Sequence, residues 1–256
     1  MPDVEGRFST GIPDLDRLLE GGVPAGATVL FSTDETVGLD DLDLLLFPAF
    51  LNSLYQSRGI MAVLPARDSP GRFREPLTRS VSRRRFDSRV RICDYVGEDE
   101  GRPYVVALAQ DRAPTLDAKP SPRSRKAAIA KVVAGEKAVQ GNRGRAFVEY
   151  NAFEVFDTLL GSEKALRTFF DGIKRTRQMG NLGIGVLGPG LGCAAGVRRM
   201  TDLEIALHRD DFGLIVRGVR PRFPSFVVTA DLNRGLPYVA FVPRPGAGAG
   251  AAAGAR

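Results

Sequence analysis

Between Gly21 and Arg58 the chain passes through a glycine-rich turn, a short apolar run, a small polar loop and a long segment with helical character. That order constrains the fold more than any other stretch. The run Thr28–Ser32 is too short for a core helix and is dominated by apolar residues, so it reads as a buried strand. A turn at Gly21–Gly26 precedes it, a short helix at Ile12–Leu19 lies further upstream, and a helix over Asp40–Arg58 follows. A second apolar run, Gly59–Pro65, comes next. Apolar runs alternating with helical segments predict an α/β domain, a twisted and mostly parallel sheet with helices on both faces.

The segment Thr10–Gly26, TGIPDLDRLLEGGVPAG, resembles the opening of the KaiC/RadA branch of the RecA superfamily. The resemblance implies a RecA-like P-loop core in which a phosphate-binding loop follows the first strand. Such a loop, of the form Gly-x-x-x-x-Gly-Lys-Ser/Thr, cradles phosphates with backbone N–H groups, reaches them with lysine and holds Mg²⁺ with its hydroxyl. At the matching positions stand Thr33 for the first glycine, Gly38 for the second, Leu39 for the lysine and Asp40 for the hydroxyl. Asp34, Glu35, Asp40 and Asp41 add carboxylates where a triphosphate brings its own charge. At a separation of about 4 Å and an effective dielectric of about 20, each like pair costs about 4 kcal/mol.

Three further segments extend the resemblance. Where the family carries paired glutamates after its second strand, the first activating water, this chain has Arg67 and Asp68 followed by Ser69-Pro70. The family's Mg²⁺-site strand ends in Asp-Ser; in Arg145–Asn151 that puts Glu149 on the aspartate and Tyr150 on the serine. Thr201–His208 and Phe212–Gly218 look like the late antiparallel hairpin whose Lys-x-Arg-Gly element reaches a neighbouring subunit's nucleotide; Arg217 matches the arginine, and Ile215 stands for the lysine. The resemblance thus implies a vestigial nucleotide site at Thr33, Gly38, Leu39, Asp40, Asp68, Glu149 and Arg217, with the phosphate lysine, the Mg²⁺ hydroxyl, the water-activating carboxylate and the crossing lysine all replaced.

The chain of 256 residues, 43% hydrophobic, is long enough to bury one substantial core. We expect a single core over residues 1–243, a polar and basic insertion of lower order at 97–144 holding a helix at Ser124–Val139, and a disordered Gly/Ala-rich tail from 244 to 256. No run approaches the roughly 18 apolar residues of a membrane span, and no signal peptide opens the chain. Cys93 and Cys193 have no metal-ligand spacing and read as buried thiols of a reducing compartment, so the expected location is cytoplasmic. The glycines of Gly183–Gly192 follow a late amphipathic helix, Ser162–Met179, and read as a strand and loop; Leu166, Phe169, Phe170 and Ile173 should turn that helix toward the sheet. His208 has no nucleophile partner and reads as structural.

Net charge is +6. The basic residues cluster at Arg79–Arg91 and Lys119–Arg145, without interleaved aromatics for base stacking. A solvated or partner-facing surface is the favoured reading, and nucleic-acid binding the lesser one.

Two functions remain open. One is a catalytically inactive KaiC-like homologue with no cofactor, a regulatory or scaffolding subunit that meets a protein partner, an active KaiC-like paralogue or copies of itself. The other is an ATPase that binds ATP and Mg²⁺ in a non-standard pose, with Asp68 and Glu149 beside the metal and Arg217 as the cation acting across subunits, or one associated with DNA. Loss of the phosphate lysine favours the first.

Overall fold

A computed structural model describes residues 3–65, 68–94, 102–107, 122–140, 148–231 and 238–244. In chain order the elements are β1 (Arg7–Phe8), α1 (Pro13–Leu18), β2 (Val23–Pro24), β3 (Thr28–Thr33), α2 (Leu39–Tyr55), β4 (Ile60–Val63), α3 (Pro70–Ser80), α4 (Arg83–Arg89), β5 (Val90–Asp94) and β6 (Val105–Ala107). They continue with α5 (Pro122–Gln140), β7 (Val148–Ala152), α6 (Phe153–Leu160), α7 (Ser162–Met179), β8 (Leu182–Leu187), α8 (Ala194–Met200), β9 (Leu203–Asp210), β10 (Gly213–Arg220), β11 (Phe223–Asp231) and β12 (Tyr238–Pro243).

One ten-stranded sheet, ordered β12-β11-β10-β9-β3-β8-β7-β4-β5-β6, organises the domain, and β1 and β2 form a separate antiparallel pair. From β9 to β6 every neighbour is parallel; β9 to β12 are antiparallel. The fold is therefore the mixed α/β architecture expected, with the late hairpin extended into a four-stranded meander.

Period-two alternation divides the core between the two faces. On β3, Val29 and Phe31 enter the larger cluster with α1 and α2, whereas Leu30 points the other way, to Phe153 and Val197. On β4, Ile60 and Ala62 take the first face and Met61 and Val63 the second. Strands covered on both faces are apolar throughout, which is why these runs show no polar alternation in sequence.

Glycines on β8 make room for the cover. A Cβ at Gly185 would lie 2.5 Å from the Phe153 ring and one at Gly183 2.6 Å from Thr28 Oγ1. Gly11, at φ +76°, brings its backbone against the Pro48 carbonyl of α2, where an added Cβ would meet oxygen at 2.4 Å.

Of the segment 97–144, the described residues supply β6 and α5, a helix that packs over β5 and β4. Along α7, Ile173 is buried and Leu166 and Phe169 pack inward, but Phe170 is exposed, with Lys174 Nζ 4.4 Å from its ring centre. Cys93 and Cys193 are buried and not joined in a disulfide. Among the described residues no helix is long and apolar enough to cross a membrane. The expected tail falls outside the described residues apart from Arg244, which pairs with Asp210 at 2.8 Å.

Candidate functional site

β3 ends at Thr33 on the carboxyl edge of the parallel strands, and residues 34–38 turn the chain into α2. Three backbone N–H groups of this loop have internal partners. Thr36 N–H donates to Asp34 Oδ1 at 2.9 Å, Val37 N–H to the Asp34 carbonyl at 3.5 Å and Gly38 N–H to Asp41 Oδ2 at 3.0 Å. Gly38 is the N-cap of α2 and Asp41 its third residue, so this carboxylate sits where a helix N-terminus attracts negative charge. Across the sheet edge Arg209 of β9 donates its guanidinium to Asp41 Oδ1 at 2.6 Å and its backbone N–H to Thr36 Oγ1 at 2.8 Å. Burial works against the charge on Asp41, but the bonds from Arg209 and the Gly38 N–H outweigh it and hold the carboxyl below its usual range.

Beside the loop lies a cleft of about 480 Å³ lined by Thr33, Asp34, Glu35, Val37, Gly38, Leu39, Leu42, Pro65, Ala152, Glu154, Val186, Gly188, Pro189 and Leu191. Thr33, Gly38 and Leu39 of the sequence-derived site are therefore brought together. Asp40, Asp68, Glu149 and Arg217 are not among the lining residues.

Asp40 and Asp68 converge instead on Arg72 of α3. Its guanidinium lies 2.6 Å from Asp40, 2.5 Å from Asp43 and 3.3 Å from Asp68. Ser69, the N-cap of α3, accepts from Arg72 N–H, and its own N–H donates to Asp68. Burial pushes Asp43 up to about 6, with Asp68 and Asp40 adding to the effect and Arg72 opposing it. Asp68 is likewise raised, by burial first. Arg67 lies outside the described residues.

Glu149 departs furthest from its expected place. It is the second residue of β7, opposite Met61 and Gly183, and precedes the strand's end at Ala152 by three positions. At about 3.3 Å per residue, that is roughly 10 Å back from the carboxyl edge. It shares a small cavity, about 40 Å³, with Glu136 of α5 and Arg175 of α7, and accepts from Asn181 Nδ2 at 3.3 Å. Burial, then the charge of Glu136, push its carboxyl up to about 7. Just beyond β7, the acid that does reach the cleft, beside Asp34 and Glu35, is Glu154 in the first turn of α6. Matching the apolar run to the family's strand places the strand's end too early and misses it.

Arg217 is exposed on β10 opposite Ala206. Of the first basic cluster, Arg79, Arg83 and Arg84 are exposed, whereas Arg89 and Arg91 donate to the backbone carbonyls of Ser57 and of Asp87 and Val90. In the second, Lys126 and Lys137 are exposed, and Lys119, Arg143 and Arg145 lie outside the described residues. His208 pairs with Ile215 inside the β9–β10 ladder.

Residues 1–161 match the family model described as GvpD basic region 2. Protein GvpD2 of Halobacterium salinarum is 24% identical over 237 residues, 91% of this chain and 46% of that protein; GvpD1 of the same organism is 33% identical over 101 residues, 39% of this chain and 19% of that protein. The chain thus spans less than half the length of either relative. Among solved structures, the KaiC-like protein PH0186 of Pyrococcus horikoshii superposes with a TM-score of 0.61 at 16% identity, covering 94% of this chain and all of that one. The uncharacterised protein PH0321 of the same organism, solved with an unknown peptide, gives 0.56 at 15% identity over 91% and 99% of the two chains.

Proposed function

This chain belongs to the GvpD basic region 2 family and has a KaiC-like fold, and we propose that it is a catalytically inactive relative of the KaiC/RecA ATPases, acting in the cytoplasm as a regulatory or scaffolding subunit that binds other proteins. The observation that carries the reading is the commitment of three of the loop's amides. Those of Thr36, Val37 and Gly38 are spent on the carboxylate and carbonyl of Asp34 and on Asp41. A working loop leaves such groups for phosphate.

The residues present do not fit Mg-ATP. Leu39 occupies the lysine position, and Asp34, Glu35 and Glu154 line the cleft. The alternative, ATP bound in another pose by Asp68, Glu149 and Arg217, draws on side chains that stand in three separate surroundings. Peptide is the ligand named for one solved neighbour, and peptide or protein binding by this chain, to itself or to an active KaiC-like paralogue, is part of the proposal. Calorimetry and a turnover assay with Mg-ATP test it. We expect no turnover above a protein-free control and no micromolar affinity; either one overturns the reading.

A further inference from the structure

The cleft beside the loop has the opposite sign from the chain as a whole. The protein carries a net +6, yet Asp34, Glu35 and Glu154 line the cleft and no lysine or arginine is among its described lining residues. Asp34 and Glu35 are exposed, and among the described residues neither has an ion-pair partner. Outside the lining, α2 carries Asp40, Asp41 and Asp43, and Asp68 precedes α3; the cations facing these, Arg72 and Arg209, are already held by them. The remaining wall is mixed, with Thr33 and glycines beside the apolar Val37, Leu39, Pro65 and Leu191.

We infer that the cleft beside Asp34 and Glu35 receives a basic peptide segment of a partner protein, an arginine or lysine whose aliphatic stem lies on Leu39, Pro65 and Leu191 and whose charged head meets the two carboxylates. The dimensions suit it: about 480 Å³ falls within the roughly 300–1,000 Å³ of ligand clefts. The mixed wall suits it too, since long basic side chains bury their stems on apolar surface and keep their heads with polar groups. A carboxylate-lined concavity concentrates cations and repels the anionic ligand of an active loop. Asp34 is already oriented by the Thr36 N–H and hydroxyl on its Oδ1. This inference rests on the reading that the cleft does not serve Mg-ATP.

The test is fluorescence anisotropy of the full chain with a fluorescein-labelled hexapeptide alternating leucine and arginine. The same peptide with glutamate for arginine, and agmatine as a free guanidinium, serve as separate arms. The binding variant is Asp34→Asn with Glu35→Gln, because Asn keeps an oxygen for Thr36, and its melt is compared with the parent's. We expect the arginine peptide to bind, the glutamate peptide not to, and the variant to bind about tenfold more weakly, the effect of losing two partly exposed charge pairs. Affinity should also fall as salt rises. The inference is overturned if the arginine peptide does not bind, if the variant melts like the parent and binds equally well, or if agmatine binds as tightly as the peptide. Mg-ATP is added as competitor: displacement of the peptide overturns the inactive-ATPase reading, whereas absence of binding by both ligands overturns the peptide inference alone.

Discussion

Replacing Glu149 by glutamine should stabilise this protein, and only above acidic pH. The side chain is 7% exposed on β7, faces Glu136 and Arg175, and has its carboxyl pushed from 4.5 up to about 7, first by burial and then by Glu136. A folded-state value above the unfolded one means that the folded protein holds the proton more tightly. Below the unfolded value both states are protonated and the group contributes nothing. As pH rises from 4.5 to about 7 the unfolded chain ionises first, and stability is lost across that window. At about 1.4 kcal/mol per pKa unit the loss approaches about 3 kcal/mol above neutrality. Glutamine keeps an oxygen for the Asn181 amide and turns a donor toward Glu136, so Glu149→Gln should recover about 2–3 kcal/mol at about pH 8 and almost nothing at about pH 4. For a chain of this length that is roughly 5–10 °C in melting temperature. Urea and thermal unfolding at both pH values measure it. An equal effect at the two pH values, or a loss of stability at the higher one, would refute the placement of Glu149 in a buried carboxylate pair and return it to a solvated metal-side position.

Arg72→Leu removes the cation shared by Asp40, Asp43 and Asp68; since Arg72 is a third exposed, the expected loss is about 2 kcal/mol at neutral pH, read by urea unfolding, and it should shrink below about 6, where Asp43 takes up a proton. Gly185→Ala sets a methyl 2.5 Å from the Phe153 ring and should cost about 1–3 kcal/mol in the same assay, whereas Gly188→Ala, with nothing within 4 Å, should cost well under half of that. If the α4 arginines only face solvent or a protein, Arg83→Glu with Arg84→Glu and Arg85→Glu will leave nucleic-acid affinity weak and unchanged at about 150 mM salt; sub-micromolar duplex binding that this change abolishes, with a log–log salt slope near −0.9 per phosphate, would establish a nucleic-acid surface instead.

The core that positions the loop was legible because its signals are local. The run that became β3 is bounded by glycines on one side and acids on the other, and the glycines of β8 mark where a ring and a threonine press on the strand. What could not be read locally was depth. An apolar run followed by a carboxylate looks the same whether that carboxylate stands at the sheet's edge or three residues inside it, as Glu149 does, and no local signal points to Glu154 at the cleft. Long-range electrostatics were equally hidden: Arg72 gathers acids from α2 and from the start of α3, and Arg209 reaches Asp41 from far along the chain. The helix α5 looked like part of a basic insertion because it docks partly through a glycine, and a glycine has no hydropathy to betray a contact.

That docking has a kinetic side. A Cβ at Gly135 would lie 2.8 Å from Met61 Cε, and one at Gly59 would overlap Val139, so at these points backbone meets side chain with no cushion between. Such a fit does not slacken by degrees. α5 either sits against β4 and β5 or leaves them, and when it leaves, Met61 loses its contact with Gly135 and Glu149 loses Glu136 in the same event. Amide protons of β4 and β7 should therefore exchange as one group, at a rate set by the opening of α5 and quickened as Glu149 ionises.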